Sequence, residues 1–209
     1  AIDADPDLEH DTRELSDADI LRRIGATRSH PEGLFLPETY TFSPGASDLE
    51  IYRQAHALLE RRLAQVWENR APDLPLSDPY QALILASIVE KETGHHEDRS
   101  KVAAVFVNRL RAGMILQSDP TTIYGMGDRF DGNLRKRDLQ ADTAYNTYTR
   151  PGLPPTPIAL PGMASIDAAL HPADIRALYF VSRGDGTSEF SDDLASHNRA
   201  VARYQLGRK

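Results

Sequence analysis

Residues 77–94 read SDPYQALILASIVEKETG, and this stretch decides the fold because it carries the signals of a buried helix from start to end. Asp78 stands directly before Pro79 and three residues before Gln81, which is the pattern of an N-terminal cap followed by proline at the first helical position. Gly94 marks the end, because glycine readily adopts the backbone conformation in which helices stop. The sequence therefore predicts a helix that begins after Asp78 and stops before Gly94.

Glu92 falls on the apolar side of this predicted helix. At roughly 100° of rotation per residue, one apolar arc is formed by Ile84, Leu85, Ile88 and Val89. Glu92 projects near the middle of that arc, whereas Glu90 lies on the other side. If no cation lies nearby, burial raises the pKa of such a carboxyl toward neutrality, as a general acid requires. The alternative is that the last turn leaves the core, so that Glu92 is solvated or pairs with Lys91 or Arg99.

The composition is that of a globular protein large enough to bury a sizeable core. The chain has 209 residues, of which 40% are hydrophobic and 26% are charged, as in soluble domains. No run approaches the roughly 18 apolar residues of a membrane span, although an anchor upstream of this sequence stays open. The net charge of -7 argues against nucleic-acid binding. The absence of cysteine excludes a disulfide framework and a thiolate metal site.

Hydrophobic periodicity and capping residues predict further helices at 16–24, 47–69, 98–112, 165–169 and 194–206. Aromatic and β-branched residues predict strands at 177–182 and 188–191, joined by a glycine turn. Residues 34–42 mix prolines with aromatics, which indicates extended chain at a sheet edge. The stretch 113–161 shows little periodicity, and its aromatics favour a functional loop.

These elements predict an α+β fold, with a helical core around Glu92 and a small sheet drawn from 34–42 and 177–190. Residues 1–14 are acidic and poor in large apolar groups, which is typical of a loose arm or of the end of a preceding module.

Two histidine positions are interpreted as structural. His56 lies on the apolar stripe of the helix at 47–69, which favours a core histidine with one hydrogen bond over a ligand. His95 and His96 are adjacent and follow a helix end, so they lack the i, i+4 spacing of a helical zinc pair. We expect a solvated turn there and no metal site.

Six stretches of the chain stand in an order that carries a resemblance. They read EGLFLPETY (32–40), LASIVEKET (85–93), VFVNRLRAGMILQSDPTTIYGMG (105–127), AYNTY (144–148), GLPPTPIALPG (152–162) and LASHN (194–198). This order resembles that of the MltG (YceG-like) endolytic murein transglycosylases, from Glu32 to Asn198. An apolar run that ends in Glu92 and a small hydroxyl residue is also similar to the helix of lysozyme-like lytic transglycosylases, which implies a helical lysozyme-like catalytic core.

The resemblance implies cleavage of the β-1,4 bond between N-acetylmuramic acid (MurNAc) and N-acetylglucosamine (GlcNAc) within peptidoglycan strands, without water. In such enzymes one carboxylic acid protonates the glycosidic oxygen, and the resulting carboxylate helps the sugar's own C6 hydroxyl to attack C1. The product is a 1,6-anhydro-MurNAc end. This differs from the two carboxylates of most glycosidases. It implies one buried acid, no cofactor and no metal.

Carried over onto this sequence, the catalytic acid and base is Glu92. Glu90 is the competitor, because a shift of two residues exchanges the two carboxylates. The helical arrangement favours Glu92, since an acid on the polar face keeps an ordinary pKa and donates its proton poorly at neutral pH. An ion pair with Arg109 would lower rather than raise that pKa.

The next motif predicts one wall of a substrate groove. Gln117 and Ser118 offer amide and hydroxyl groups to sugars, Asp119 stands beside them, and the Tyr124 ring offers a surface for a pyranose face. Asp119 has an alternative role as the cap of a helix that begins at Pro120.

Tyr145, Asn146 and Tyr148 form a second candidate set. An asparagine can hold an acetamido group, and an aromatic face stabilises a positively charged transition state. The alternative is a turn whose side chains bond to the backbone. His197 and Asn198, near the start of the last helix, are explained as well by capping as by substrate contact.

Members of the resembled family carry a membrane helix and a LysM-like module before the catalytic region. The resemblance therefore divides this chain into an N-terminal arm at 1–30, the remnant of that module, and a catalytic YceG-like domain at 31–209. It implies an inner-membrane protein, with its single-pass anchor outside this chain and its catalytic part in the periplasm. The implied partners are peptidoglycan strands and cell-wall synthases.

Two other functions stay open. One is a glycan-binding module of a cell-wall synthesis complex that does not cleave. The other is a hydrolysing muramidase, with Asp119 as the partner carboxylate of Glu92.

Overall fold

The computed structural model describes residues 2–207. Within them the chain forms eight α-helices, namely α1 (Asp17–Ile24), α2 (Asp48–Glu68), α3 (Pro79–Glu92), α4 (His96–Arg111), α5 (Asp119–Met126), α6 (Lys136–Gln140), α7 (Met163–Leu170) and α8 (Leu194–Val201). Four short strands pair as two sheets, β1 (Leu8–Glu9) with β2 (Ala46–Ser47) and β3 (Tyr179–Ser182) with β4 (Ser188–Ser191). A π-helical turn, Ala202–Leu206, continues α8.

Capping residues start the first three helices where the sequence predicts them. The side chains of Ser16, Ser47 and Asp78 each accept a hydrogen bond from a backbone N–H in the first turn of α1, α2 and α3. At its other end, α3 stops with Thr93 in an extended conformation, one residue before Gly94. The predictions for these three helices are confirmed.

α3 lies at the centre of the hydrophobic core. Every residue from 82 to 89 is buried, and α3 packs against α2, α4, α5 and α7. The sequence predicts one apolar arc, but the helix is buried all round because several helices surround it. α3 is thus held by packing on all sides up to its last turn, and this packing fixes the position of the backbone that carries Glu92.

One of the two predicted parts of the sheet is present. β3 pairs antiparallel with β4, which confirms the strands predicted at 177–182 and 188–191. The strand predicted at 34–42 is wrong, because no residue of this segment pairs with a strand. Instead, the Leu36 N–H donates to the Ala55 carbonyl of α2 at 3.3 Å. The segment packs on a helix, and the α+β class is confirmed by β3 and β4.

The stretch 113–161 is more ordered than its weak periodicity predicts. It contains α5 and α6, which are too short to show a hydrophobic period. Ser118 is the N-cap residue of α5 and Pro120 lies in the first turn. Asp119 is therefore the first residue of this helix rather than its cap.

α2 makes two buried polar contacts with preceding segments. The Thr12 N–H and hydroxyl donate to the fully buried Asp48 carboxylate, at 3.2 and 2.6 Å. These contacts join the segment predicted as a loose arm to the start of α2. Farther along, His56 is buried and its Nδ1 lies 3.0 Å from the Leu34 carbonyl oxygen. The prediction of a core histidine with one hydrogen bond is confirmed.

Candidate active site

A cavity of about 450 Å³ opens where α3 ends. Its walls come from distant parts of the chain, namely the C-terminal end of α3, the first residue of α5, the β3–β4 hairpin and α8. The lining residues are Glu92, Thr93, Gly94, Asp119, Phe180, Val181, Ser182, Gly186, Ser188, His197, Val201 and Gln205. Glu92 thus lies at the wall of a concavity large enough for a sugar.

Ser118 holds the Glu92 carboxyl group in place. The Ser118 hydroxyl donates to Oε1 of Glu92 at 2.6 Å, and Ser118 itself is buried. This hydroxyl makes no capping bond within α5, although Ser118 occupies the N-cap position. Its backbone N–H donates to Thr147 Oγ1 at 3.0 Å, and its carbonyl accepts from Thr121 Oγ1 at 2.7 Å. Ser118 is therefore fixed on three sides with its hydroxyl directed at Glu92.

The surroundings raise the pKa of Glu92 to about 7. Burial is the largest cause, because it disfavours the charged carboxylate, and the negative charge of Asp119 adds to it. The Ser118 hydrogen bond and the positive charge of Arg109 act in the opposite direction. The net result is a carboxyl group that is about half protonated near neutral pH.

Arg109 is buried next to this site without forming an ion pair with Glu92. Its Nε donates to the Leu178 carbonyl and its Nη1 to the Leu116 carbonyl, both at 2.7 Å. The backbone oxygens thus engage the guanidinium, and only its longer-range field acts on Glu92. This explains how a buried cation lies near the site while the pKa of Glu92 stays raised.

Asp119 and Tyr148 form a second polar pair at the cavity. The Tyr148 hydroxyl donates to Oδ1 of Asp119 at 2.5 Å, and burial together with this carboxylate raises the Tyr148 pKa. Gln117 precedes them with a left-handed φ of 53°, and its N–H donates to the Thr147 carbonyl at 3.1 Å. The structure therefore brings Gln117, Ser118, Asp119 and Tyr148 together near Glu92.

Glu90 occupies a different environment from Glu92. Its Oε2 accepts from the Gly162 N–H at 3.1 Å and from the Ser165 hydroxyl at 2.6 Å. Gly162 is the N-cap residue of α7. The Glu90 carboxylate therefore accepts a backbone N–H at the start of that helix, and its negative charge interacts favourably with the helix dipole. A structural role accounts for Glu90, and of the two carboxyl groups near the end of α3 only that of Glu92 lines the cavity.

Tyr124 and Tyr145 contact each other and lie outside the cavity lining. Their ring centroids are 4.8 Å apart, and the Tyr145 hydroxyl lies 2.9 Å from Thr156 Oγ1. Burial, with the nearby negative charge of Glu32, raises the pKa of Tyr124 to about 12. The structure does not bring this pair to Glu92.

Asn146 is fully buried, and its carboxamide is saturated by the protein. Its Nδ2 donates to the carbonyls of Leu139 and Ala141 at 3.1 and 2.7 Å. Its Oδ1 accepts from Thr122 Oγ1 at 3.2 Å and from the Tyr148 N–H at 2.9 Å. All four hydrogen-bonding positions of the amide are engaged, so Asn146 orders the loop that carries Tyr148, as the turn interpretation describes.

The β3–β4 hairpin and α8 form a wall that the sequence does not predict. His197 lies in this wall, with its ring stacked on Tyr179 at a centroid distance of 5.2 Å. Burial and the charge of Arg109 lower the pKa of His197, and its Nδ1 is buried without a hydrogen-bond partner in the described part of the chain. The LASHN motif is the only sequence signal that draws attention to this residue.

The arrangement suits transfer of one proton to and from a ligand. Glu92 alternates between acid and carboxylate near neutral pH, and Ser118 stabilises the carboxylate form. No cluster of three or more potential metal ligands occurs among residues 2–207. The raised pKa of Glu92 and its hydrogen bond with Ser118 are what favour acid–base chemistry at this site.

Comparisons with known proteins give one consistent result. The profile of the YceG-like family matches residues 4–203. An endolytic murein transglycosylase of Bacillus subtilis is 38% identical over 181 residues, which cover 84% of this chain and 48% of that protein. One from Streptococcus pneumoniae serotype 2 is 28% identical over 179 residues, covering 83% of this chain and 32% of that protein.

A solved structure shares the fold. The crystal structure of a yceG-like protein from Listeria monocytogenes superposes with a TM-score of 0.71 at 31% identity, covering 87% of this chain and 62% of that one. This chain spans about half the length of the Bacillus subtilis relative and about a third of the streptococcal one.

Proposed function

The chain belongs to the YceG-like family, and from that premise we propose that it is an endolytic peptidoglycan lytic transglycosylase. Its substrate would be the glycan strand, cut at the MurNAc-β-1,4-GlcNAc bond to leave 1,6-anhydro-MurNAc ends. The observation that carries the proposal is a largely buried carboxyl group, Glu92, with a pKa of about 7 at the wall of a sugar-sized cavity. Two relatives that bear the name endolytic murein transglycosylase support it.

In the first step, Glu92 acts as the acid. Its protonated form donates to the glycosidic oxygen, the C1–O bond breaks, and the GlcNAc hydroxyl leaves with that proton. Positive charge develops at C1 of MurNAc, and the new Glu92 carboxylate stays beside it. The Ser118 hydroxyl, 2.6 Å from Oε1, stabilises this carboxylate.

In the second step, the same carboxylate acts as the base. It accepts the proton of the MurNAc C6 hydroxyl while O6 bonds to C1, which closes the anhydro ring and regenerates protonated Glu92. One group serves both steps because its pKa lies close to neutrality. No second carboxylate is needed as a nucleophile, and no cofactor takes part.

We assign substrate contacts to Gln117, Asp119 and Tyr148, which the fold gathers near Glu92. To the buried Ser118, which was predicted as a substrate contact, we assign the positioning of the Glu92 carboxyl group. Tyr124, Tyr145 and Asn146 are proposed instead to support the loops that carry these residues. The two tyrosines contact each other outside the cavity lining, and the Asn146 amide is saturated within the protein. We also propose that the helices around α3 correspond to the lysozyme-like core that the resemblance implies. The supporting feature is a catalytic carboxyl group at the end of a central buried helix.

A hydrolysing muramidase is the second candidate, and one observation favours it. Asp119 lines the same cavity as Glu92, and its charge acts on the Glu92 pKa. A second carboxylate near the acid is the arrangement by which hydrolases activate water or form a covalent intermediate.

End-group analysis of digested glycan strands tests the proposal. Mass spectrometry of strands treated with the protein is expected to show anhydro ends, and none with the Glu92→Gln variant. Reducing ends would identify a hydrolase, and intact strands a glycan-binding module.

The cellular setting follows from the same proposal. We propose a catalytic region facing the periplasm, partnered by cell-wall synthases and tethered to the inner membrane by an anchor outside this chain. Among residues 2–207, no helix has the length and apolarity needed to cross a membrane. The division into an arm at 1–30, the remnant of a LysM-like module, and a catalytic domain at 31–209 remains part of this proposal.

A further inference from the structure

β3 lines the cavity that contains Glu92. Three consecutive residues of this strand, Phe180, Val181 and Ser182, line the cavity. Consecutive side chains of a strand point to opposite faces. The cavity therefore meets the face that Phe180 and Ser182 share with Ser188 of β4, and it also reaches Val181, whose side chain lies on the other face. Among residues 2–207 this sheet contains only β3 and β4, so the edge of β3 away from β4 has no neighbouring strand in that range.

The hydrogen-bond alternation of the hairpin shows which backbone groups point outward. The Arg183 N–H donates to the Thr187 carbonyl at 2.9 Å, so these two residues form a hydrogen-bonded pair. Bonded and non-bonded pairs alternate along an antiparallel ladder. Val181 therefore belongs to the next bonded pair, with Glu189. Ser182, which lies between them, directs its N–H and C=O away from β4.

The opposite edge of the hairpin supports this assignment independently. Ser188 is the cross-strand partner of Ser182. The Ser188 N–H points away from β3, because it donates to Oδ2 of Asp98 at 2.7 Å. The same alternation makes Phe180 a further residue with outward N–H and C=O groups.

These outward groups of β3 have no partner within the protein. In the part of the chain that the structure describes, no backbone or side-chain group bonds to the outward N–H or C=O of Phe180 or Ser182. On the outer edge of β4, by contrast, the Ser188 N–H is bonded to Asp98. A strand edge with free donors and acceptors is a ready template for another amide. His197, whose Nδ1 also has no hydrogen-bond partner among the described residues, lies in the same cavity wall.

We propose that the outer edge of β3, at Phe180 and Ser182, is an amide-binding site for the glycan strand. The proposal rests on the proposed function, which places a peptidoglycan strand in this cavity. A secondary amide offers one donor and one acceptor, which match the outward C=O and N–H of a strand residue. Peptidoglycan carries such amides in the acetamido groups of its sugars and in the peptide bonds of its stems.

Amide hydrogen exchange tests the site directly. The Glu92→Gln variant is used so that bound strands stay uncut. On addition of glycan strands, we expect the Phe180 and Ser182 amides to exchange at least about tenfold more slowly, because they become hydrogen-bonded. Val181, whose N–H is already bonded to β4, is the internal control. Strand binding with no slowing at Phe180 or Ser182 would overturn the proposal.

A proline variant tests the energetic contribution. In the Glu92→Gln background, Ser182→Pro removes the outward N–H and leaves the ladder bonds to β4 in place. Ser182→Ala is the matched variant, because it also removes the hydroxyl that accepts from the Gly184 N–H at 3.1 Å but keeps the backbone N–H. We expect the proline variant to bind strands about five- to tenfold more weakly than the alanine variant. Equal affinities in two folded variants would contradict the proposed site. If the proline variant does not fold, the hydrogen-exchange experiment provides the test instead.

Modified strands identify the amide. The difference between the proline and alanine variants is measured with strands that lack stem peptides, lack N-acetyl groups, or lack both. We expect it to disappear when the recognised amide is absent, and its persistence on strands that lack both would overturn the proposal. If Glu92→Gln protein binds no strand at all, the proposed function fails as well. If it binds without any effect at the β3 edge, only the amide site fails.

Discussion

Glu90 and Glu92 lie two residues apart on α3, yet their carboxyl groups have unrelated environments. Glu90 accepts hydrogen bonds from Gly162 and Ser165 at the start of α7, whereas Glu92 accepts one from Ser118 and faces the cavity. A separation of two residues on a helix turns the side chains by roughly 200°. The same short sequence therefore supplies one carboxylate to the packing of the core and another to the cavity.

Exchanging each carboxyl group for an amide separates these two roles. Glu92→Gln is expected to lower the rate of strand cleavage by at least about 10²-fold, the usual contribution of a general acid, with the fold intact. Glu90→Gln is expected to retain activity but to lose about 1 kcal/mol of stability, because a neutral amide caps α7 less well. Cleavage assays and urea unfolding of both variants measure this. The reverse pattern of activities would assign the catalysis to Glu90.

The raised pKa of Glu92 predicts a cost in stability. The carboxyl group ionises at 4.5 when exposed but at about 7 in the folded protein. Since the folded state binds its proton more tightly, the free energy of unfolding falls as the pH rises from 4.5 to about 7, and the loss is complete above that range. Glu92→Gln removes this loss. We expect the variant to be more stable than the wild type at about pH 8, by up to about 3 kcal/mol, and nearly equal at about pH 4.

Urea unfolding at both pH values measures this difference. A variant that is equally or less stable than the wild type at the higher pH would show that the Glu92 carboxylate is not destabilised in the folded protein.

Ser118→Ala is expected to move the alkaline limb of the pH–rate profile to higher pH. The Ser118 hydroxyl stabilises the carboxylate form, so its removal raises the pKa of Glu92 further, and the acid form persists at higher pH. Ser165→Ala is the matched control, since it removes an equivalent hydroxyl bond from Glu90. Profiles of kcat/KM against pH for both variants give the answer. A shift of the limb in the Ser165 variant alone, or in neither, would contradict the role of Ser118.

Asn146→Ala is expected to affect stability more than substrate binding. It leaves two backbone carbonyls and the Tyr148 N–H without their buried partner, which costs about 2–4 kcal/mol. Tyr145→Phe, which loses a single hydroxyl contact, is the mild comparison and should cost about 1 kcal/mol. Thermal or urea unfolding measures both. A fully stable Asn146→Ala protein with a raised KM would restore Asn146 as a substrate ligand.

Local signals in the sequence account for the position of Glu92 and for all the α-helices of residues 2–207 except the short α5 and α6. The caps at Ser16, Ser47 and Asp78 act within one turn, so they can be recognised without tertiary structure. The prediction of a strand at 34–42 is wrong because aromatic and branched residues suit any half-buried extended chain. Whether such a chain pairs with a strand or packs on a helix depends on distant neighbours.

The rest of the candidate site depends on contacts across long sequence separations. Ser118 reaches Glu92 from 26 positions away, and the hairpin wall with His197 comes from still farther along the chain. Nothing in the local pattern of residues 179–191 reveals that β3 lines the same cavity as Glu92. Asn146 was predicted to bind substrate because its residue type suits an acetamido group, but residue type alone does not show that its amide is saturated inside the fold.

Cleavage in ¹⁸O-labelled water tests the central claim most directly. If Glu92 catalyses attack by the sugar's own C6 hydroxyl, no water oxygen enters the product. Mass spectrometry should then show anhydro-MurNAc ends without label for the wild type, and no cleavage for Glu92→Gln. Reducing MurNAc ends that carry ¹⁸O would contradict the account and identify a hydrolase.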